Sequence, residues 1–89
     1  MISKTTPRFR RAFANLPQDV HARARSAYRL FRENPHHPSL QFKQVHTKRP
    51  IFSARVGIGY RALTVRQDDA MIWFWIGSHA DYDALLRSI

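Results

Sequence analysis

The sequence predicts an α+β domain in which an N-terminal helical hairpin packs on a four-stranded, mainly antiparallel sheet and a short C-terminal helix follows. Three observations predict this class. Apolar residues recur at helical spacing up to residue 34, the period falls to two from residue 40 onward, and an acid-bearing amphipathic segment follows the last apolar run. The chain of 89 residues is 44% apolar, which suits one small core, so we expect a single domain over residues 1–89.

Two helices are predicted in the first part of the chain. Thr6 and Pro7 are typical of an N-cap followed by proline at the first helical position. Pro17 begins a second helix in the same way, and Pro35 ends it at Asn34, because a residue before proline disfavours the helical region. The apolar faces of the two helices are formed by Phe9, Ala12, Phe13 and Leu16 in the first and by Val20, Ala24, Ala27 and Phe31 in the second.

The strands follow one another along the chain, which favours an antiparallel meander. The turn at residues 57–59 contains two glycines, which tolerate positive φ. The last strand lacks alternation, as a central strand covered on both sides would, and strand period would place Trp73 and Trp75 on one face. The predicted strands are residues 40–46, 51–56, 60–66 and 70–76, and a very short extra strand at residues 2–5 stays open without support from the pattern.

The last helix begins at about Ser78. Serine is a good N-cap, and Asp81 three residues later approximates a capping box, where its charge also suits the helix dipole. His79 serves neither the cap nor the apolar stripe, so it is a candidate functional residue. The helix is expected to dock through Tyr82, Leu85, Leu86 and Ile89.

The charge balance predicts an anionic partner. Lys and Arg total 15 against 6 Asp and Glu, a formal charge of +9. Arginine favours bidentate contact with phosphate or carboxylate, and Arg25, Arg29 and Arg32 recur along one side of the second helix. Charge alone leaves open whether the partner is RNA, DNA or an acidic protein.

The composition also limits the class of protein. There is no cysteine, so neither a disulfide framework nor a thiolate zinc site is expected. The adjacent His36 and His37 do not predict a metal site, because neighbouring residues rarely bind one ion and no carboxylate is spaced to help. No apolar run approaches the roughly 20 residues of a membrane span, and the N-terminus lacks the apolar region of a signal peptide. We therefore expect a cytoplasmic protein without metal or cofactor.

These pieces together resemble the RelE/ParE superfamily of bacterial toxins from type II toxin–antitoxin systems. The segment R-V-G-x-G-Y-R at residues 55–61 resembles the central hairpin of that family. The segment W-x-G-S-H-x-x-Y at residues 75–82 resembles the ending of the YafQ and HigB branches. The resemblance spans essentially the whole chain, and it implies two activities: RelE-like members cut messenger RNA in the ribosomal A site, whereas ParE-like members inhibit DNA gyrase.

The resemblance also implies roles for particular residues. Arg55 matches the arginine that stabilises the scissile phosphate in RelE-like nucleases, and Arg61 follows in the same motif. His79 matches a position used for acid–base chemistry, and Tyr82 is a looser match to an aromatic residue that packs on substrate bases. If the turn sets Arg55 opposite Arg61, like charges face each other, which is unfavourable without an anion between them.

Cleavage through the 2′-hydroxyl needs a proton acceptor, a proton donor and charge stabilisation, and it requires no metal. Besides the arginines and His79, we expect His46 or Lys43 to supply the remaining proton or phosphate contact, and Lys48 to contact RNA. His46 ends one strand and His79 follows another, so both are expected at one rim of the sheet. The strands offer no convincing acidic general base.

The sequence therefore predicts a ribosome-dependent messenger RNA endoribonuclease that inhibits translation. The expected partners are the ribosome, messenger RNA and an acidic antitoxin, with the protein monomeric alone or part of a toxin–antitoxin hetero-oligomer. Two alternatives stay open at this stage: a ParE-like inhibitor of DNA gyrase without nuclease activity, and a non-toxic fold relative that binds only its antitoxin.

Overall fold

The computed structural model describes residues 2–88 and contains three α-helices and five strands in this part of the chain. A short 3₁₀ turn at Pro38–Leu40 lies between the helices and the sheet. The helices are α1 (Pro7–Ala14), α2 (Gln18–Glu33) and α3 (His79–Ser88), and the strands are β1 (Ile2–Thr5), β2 (Lys43–Gln44), β3 (Ile51–Arg55), β4 (Tyr60–Gln67) and β5 (Ala70–Ser78).

The five strands form one sheet in the order β1-β5-β4-β3-β2. Strands β2 to β5 pair antiparallel, whereas β1 pairs parallel with β5, beginning with Ile2 opposite Ala70. The predicted α+β class, with a helical hairpin and a C-terminal helix, is confirmed, but the sheet has five strands instead of four. The sequence of β1 shows no alternation of apolar and polar residues, because Ser3 is its only half-buried residue.

The first two helices begin where the sequence predicted. Thr6 Oγ1 accepts a hydrogen bond from Phe9 N at 3.1 Å, and Pro7 is the first helical residue. α2 begins after Pro17 without a side-chain cap. Both helices cover one face of the sheet, where the Phe31 ring meets the edge of Trp73 at 5.3 Å between ring centroids.

The predicted strand at residues 40–46 is the main error in the elements. Only Lys43 and Gln44 pair with β3, while Leu40 closes the 3₁₀ turn and Gln41 adopts a left-handed conformation with φ of 43°. The apolar residues of this segment are still used, since Leu40 is buried in the core. β2 is an edge strand paired only through those two residues, so most of the segment follows the core surface without joining the ladder.

The second face of the sheet is covered by α3. Tyr82 packs there with Ile51 and Leu63, and the helix also contributes Leu85 and Leu86 as predicted, while Ile89 lies outside the described residues. Covering both faces explains why β5 is apolar without alternation. Across residues 2–88, no helix is both long and apolar enough to cross a membrane.

A register shift in β5 corrects one further expectation. The pairing of β4 with β5 is irregular between Leu63 and Thr64, so Phe74 is the extra residue between the two registers. Trp73 consequently packs in the cluster under α1 and α2, and Trp75 packs in the cluster under α3. The two tryptophans lie on opposite faces, not on the same face as strict strand period predicted.

Candidate functional site

One end of the sheet carries the first group of candidate residues. Arg55 is the last residue of β3 and lies directly opposite Arg61 of β4, so the condition stated for the turn is met. Arg61 is in turn opposite Gly77 of β5, the residue before Ser78, which ends the strand. The His79 N–H donates to Gly59 O at 2.8 Å, which fixes the start of α3 against the β3–β4 turn. Both arginines and His79 therefore lie at one rim.

Arg61 is buried, with 3% of its surface exposed. Its two terminal nitrogens donate to Gln41 Oε1 at 3.2 Å, Gln41 O at 2.9 Å and Ser53 Oγ at 2.8 Å, while its Nε has no partner among residues 2–88. No carboxylate neutralises it in this part of the chain. Burial lowers the pKa of Arg61, contacts with Tyr82 oppose that change, and the charge of Arg55 adds to it.

Tyr82 belongs to the same buried network. Its hydroxyl donates to Ser53 Oγ at 3.1 Å, its ring centroid lies 5.3 Å from the Arg61 guanidinium carbon, and only 3% of the residue is exposed. A ring in this position faces the sheet and not solvent, so it is not available to stack on a base in this conformation. The geometry favours a structural role, in which Tyr82 holds α3 on the sheet and partly compensates the charge of Arg61.

His79 has an acidic neighbour that the sequence interpretation missed. Its Nδ1 lies 3.2 Å from Asp83 Oδ2, one helical turn on, and both side chains are about half exposed. With Nδ1 protonated and donating to the carboxylate, Nε2 is free to accept a proton. The helix cap is Ser78, whose Oγ accepts from Asp81 N at 3.1 Å; the exposed Asp81 carboxylate forms no hydrogen bond within residues 2–88. The Asp81 carboxylate therefore stabilises α3 only through the interaction of its charge with the helix dipole.

Arg55 is half-buried and its Nε donates to Gly57 O at 3.2 Å. This hydrogen bond leaves both terminal nitrogens of the guanidinium available to an anion. Arg55 is also among the residues that border a cavity of about 450 Å³ between α2 and the turn. Two positive charges directly opposite each other, one of them buried, favour an anion at this rim.

The predicted placement of His46 at the rim of His79 is wrong. β2 runs antiparallel to β3, and Val45 N donates to Ile51 O at 2.9 Å, so His46 follows the strand at the far end of the sheet. Its Nδ1 accepts from Lys48 N and Arg49 N, both at 3.1 Å, which commits this nitrogen to the turn. Lys48 lies at the same far end.

Lys43 is better placed than Lys48 for a substrate contact. It is exposed on β2 and pairs with Ser53, which is two residues from Arg55 along β3 and belongs to the buried network of Arg61. Cross-strand partners project from the same face of a sheet. Lys43 therefore extends the positive charge of the rim toward the edge of the sheet.

The three arginines of α2 form a separate exposed surface. Arg29 donates to Ser26 Oγ at 3.3 Å, and the Arg32 guanidinium lies 5.9 Å from the Tyr28 ring centroid. Among residues 2–88, none of Arg25, Arg29 and Arg32 forms an ion pair. Arg25 and Arg29 border a cavity of about 500 Å³, almost wholly apolar, between the helices and the sheet. That cavity contains none of the candidate catalytic groups.

No metal-binding group of three or more His, Cys, Asp or Glu side chains occurs in the part of the chain that the structure describes. His37 instead caps the 3₁₀ turn, since its Nδ1 accepts from Ser39 N at 3.1 Å. The network residues Gln41 and Ser53 were missed by sequence interpretation, because neither a left-handed glutamine nor a strand serine carries a recognisable motif.

Comparison with known proteins identifies related sequences and folds. The family model of the ParE-like toxin domain matches residues 18–84, which span α2 to most of α3. A search of curated protein sequences gives no match.

Solved structures share the fold. A chain of the RelB–RelE antitoxin–toxin complex from Methanococcus jannaschii superposes with a TM-score of 0.72 at 16% identity, covering 91% of this chain and 96% of that one. YafQ from Escherichia coli gives 0.70 at 14% identity, covering 90% and 94%. A chain of the toxin–antitoxin complex RelBE2 from Mycobacterium tuberculosis gives 0.68 at 22% identity, covering 88% and 96%. At these identities the likeness concerns the fold alone.

Proposed function

The chain belongs to the ParE-like toxin domain family, and we propose that it is a toxin that cuts messenger RNA on the ribosome. Membership agrees with the resemblance to the RelE/ParE superfamily found in the sequence. One observation carries the choice of activity: a guanidinium pair, Arg55 and Arg61, and an imidazole–carboxylate pair, His79 and Asp83, converge on the same end of the sheet. These are the groups that metal-independent cleavage of RNA uses.

In this proposal His79 Nε2 accepts the proton of the ribose 2′-hydroxyl. The 2′-oxygen then attacks the neighbouring phosphorus, the bond to the 5′-oxygen breaks, and that oxygen takes a proton from solvent. The products are a 2′,3′-cyclic phosphate and a 5′-hydroxyl end. Asp83 holds the imidazole through Nδ1 and stabilises the imidazolium that forms.

The arginines have different parts in this step. Arg55 presents its terminal nitrogens to the phosphate, where negative charge develops as the 2′-oxygen attacks. Arg61 is too deeply buried for direct contact, so it adds positive potential behind the phosphate and fixes the strand that carries Arg55. Lys43 supplies a further phosphate contact at the sheet edge.

The partner that restrains this activity is an acidic antitoxin. The formal charge of +9 and the exposed arginines of α2 favour such a partner. Neighbouring structures from Methanococcus jannaschii and Pyrococcus horikoshii are described as RelE with RelB, and by extension this chain pairs with an antitoxin of its own.

Inhibition of DNA gyrase is a second candidate function. The observation that favours it is the arginine face of α2, an exposed basic surface that does not depend on the rim chemistry. Pulse-labelling after induction separates the two, since loss of protein synthesis supports the nuclease and loss of DNA synthesis supports the gyrase inhibitor. A chain that arrests neither is a fold relative that binds only its antitoxin.

Single-turnover cleavage on programmed ribosomes tests the proposed chemistry. His79→Ala and Arg55→Ala should each slow cleavage by roughly a hundredfold, the usual scale for losing a proton-transfer or charge-stabilising group. Because both act in one step, the double variant should lose less than the product of the two effects. Arg66→Ala is the matched control, since Arg66 is exposed and lies opposite Met71, at the end of β4 away from the rim, and this variant should cleave at the wild-type rate.

The melting temperature of every variant is measured in parallel. Neither His79→Ala nor Arg55→Ala removes volume from a hydrophobic cluster, so both should stay close to the wild type. Full cleavage by His79→Ala would refute the assignment of the proton acceptor, and the histidine would then merely begin a helix.

A further inference from the structure

A shallow cavity of about 450 Å³ opens beside the rim, between α2 and the β3–β4 turn. The helix contributes Ala22, Arg23 and Leu30, and the turn side contributes Arg55 and Ile58. Two arginines thus border a cavity with apolar surface, and the Arg23 guanidinium is paired with Asp19 at 3.4 Å. This cavity adjoins the apolar cavity of about 500 Å³ between the helices and the sheet, with which it shares Ala27 and Leu40.

Ile58 at the tip of the turn is not explained by folding. Of its surface 79% is exposed, more than for any other large apolar residue in the described part of the chain. Gly57 and Gly59 adopt positive φ of 59° and 90°, so these glycines determine the conformation of the turn. Turn tips of this kind usually carry polar residues. An isoleucine here presents apolar surface to water without any benefit to the core.

The position of Ile58 relative to the candidate chemistry is fixed by two hydrogen bonds. Arg55 Nε donates to Gly57 O at 3.2 Å, and His79 N donates to Gly59 O at 2.8 Å. Ile58 therefore lies between the residue assigned to the phosphate and the residue assigned to the proton. An apolar side chain at this position contacts the part of the substrate that lies next to the reacting phosphate.

We propose that this cavity, with Ile58 at its entrance, binds the base of a nucleotide next to the scissile phosphate. The inference rests on the proposed nuclease function and names the contact through which the enzyme reads its substrate. A nucleotide joins a charged phosphate to a flat apolar base, and here Arg55, the residue assigned to the phosphate, borders a cavity that also presents Ala22, Leu30 and Ile58. The hydroxyl groups of Ser26 and Ser39 also line it and suit the polar edge of a base.

This site takes the role that the sequence assigned to Tyr82. Tyr82 is buried, and Tyr60, the aromatic residue opposite Ser78, is half-buried and packs against the cluster under α1 and α2, whereas Ile58 is exposed. Aliphatic side chains also support unstacked bases, although more weakly than aromatic rings do. The expected consequence is a modest preference among bases at the cleaved position.

Two independent variants test the site by single-turnover cleavage on ribosomes programmed with different A-site codons. Ile58→Ser removes the apolar contact, and Ala22→Phe fills the cavity from the exposed face of α2. Each should lower kcat/KM about fivefold to tenfold, the lower range for losing one base contact, and should reduce the difference between codons. Ile58→Leu should cleave like the wild type.

Ile2→Ser is the matched control. Ile2 is also an exposed isoleucine, at 51%, but it pairs with Ala70, eight residues from Ser78 along β5. At about 3.3 Å per residue this places it roughly 26 Å from the turn. It should lower neither kcat/KM nor codon discrimination, and the melting temperatures of all variants should match because none alters buried side chains.

The outcomes separate the inference from the function on which it rests. If the wild type cleaves and Ile58→Ser and Ala22→Phe cleave equally well, the base site is refuted and the nuclease stands. Loss in Ile58→Ser without loss in Ala22→Phe would place the base outside the cavity and also overturn the inference. A wild type that fails to cleave refutes both. If Ile58→Ser instead abolishes inhibition of gyrase, the contact belongs to a protein partner and not to a base.

Discussion

Replacement of Tyr82 distinguishes a buried structural residue from an exposed substrate contact. Tyr82→Ala removes a ring with 3% of its surface exposed, packed 6.5 Å from the Trp75 ring centroid and 5.3 Å from the Arg61 guanidinium carbon. Truncation of a buried aromatic residue costs about 3–5 kcal/mol, because the apolar transfer energy is lost and a cavity remains. The loss of the hydroxyl, which donates to Ser53 Oγ, adds to this.

The conservative variant isolates that hydroxyl. Tyr82→Phe keeps the ring and its packing and should cost about 1 kcal/mol, the net value of one hydrogen bond. In a domain of this size, 1 kcal/mol corresponds to roughly 4–8 °C in Tm. Tyr82→Ala should accordingly lower Tm by on the order of 20 °C, and Tyr82→Phe by a few degrees.

Thermal and urea denaturation followed by circular dichroism measure both effects, with m-values compared to ensure that the same transition is observed. Ribosomal cleavage by the folded fraction is measured alongside. An exposed base-stacking residue behaves differently, since its removal changes stability by less than about 0.5 kcal/mol. A Tyr82→Ala protein that melts like the wild type but cleaves poorly would refute the structural role and restore Tyr82 as an RNA contact.

Two other predictions concern the surface. Ser78→Ala removes the oxygen that accepts a hydrogen bond from Asp81 N and should lower the free energy of unfolding by about 1 kcal/mol. Asp81→Asn should lower it by less than about 0.5 kcal/mol. A larger loss for Asp81→Asn in urea denaturation would show that the Asp81 side chain caps the helix. Changing Arg25, Arg29 and Arg32 together to glutamine should reduce the slope of log affinity for ribosomes against log salt by roughly 2 to 3. An unchanged slope would identify a solvated face that binds no anion.

The helices and the long hairpin were predictable because several signals agree there. The cap at Thr6, the proline at position 7 and the apolar spacing all specify α1, and the glycines at the β3–β4 turn specify the opposition of Arg55 and Arg61. β1 was not predictable as a pattern, because an edge strand with one half-buried residue has no alternation to detect. The register shift that separates Trp73 from Trp75 likewise depends on pairing and not on local sequence.

The errors in the site have physical causes. In an antiparallel meander the first and fourth strands run in opposite directions, so their C-termini lie at opposite ends of the sheet. This alone excludes His46 from the rim where His79 lies. Tyr82 belongs to the apolar stripe of α3 and packs in the core, so it is not exposed for the contact with substrate bases that the family resemblance implied. The role of Gln41 could not be predicted from the local sequence, because the residue accepts hydrogen bonds from Arg61, twenty residues away along the chain, in a left-handed conformation.

The parallel pairing of β1 with β5 affects how the molecule folds. Ile2 and Ala70 are 68 residues apart, so closing this part of the sheet requires almost the whole chain to be in place. The entropy of closing so large a loop is lost before the strand gains its hydrogen bonds, and such non-local pairing slows folding. The same strand β5 leads directly into α3, which carries His79. A chain that has been synthesised only as far as β4 therefore has neither a complete sheet nor His79, and the fold is completed only after both β5 and α3 have emerged from the ribosome.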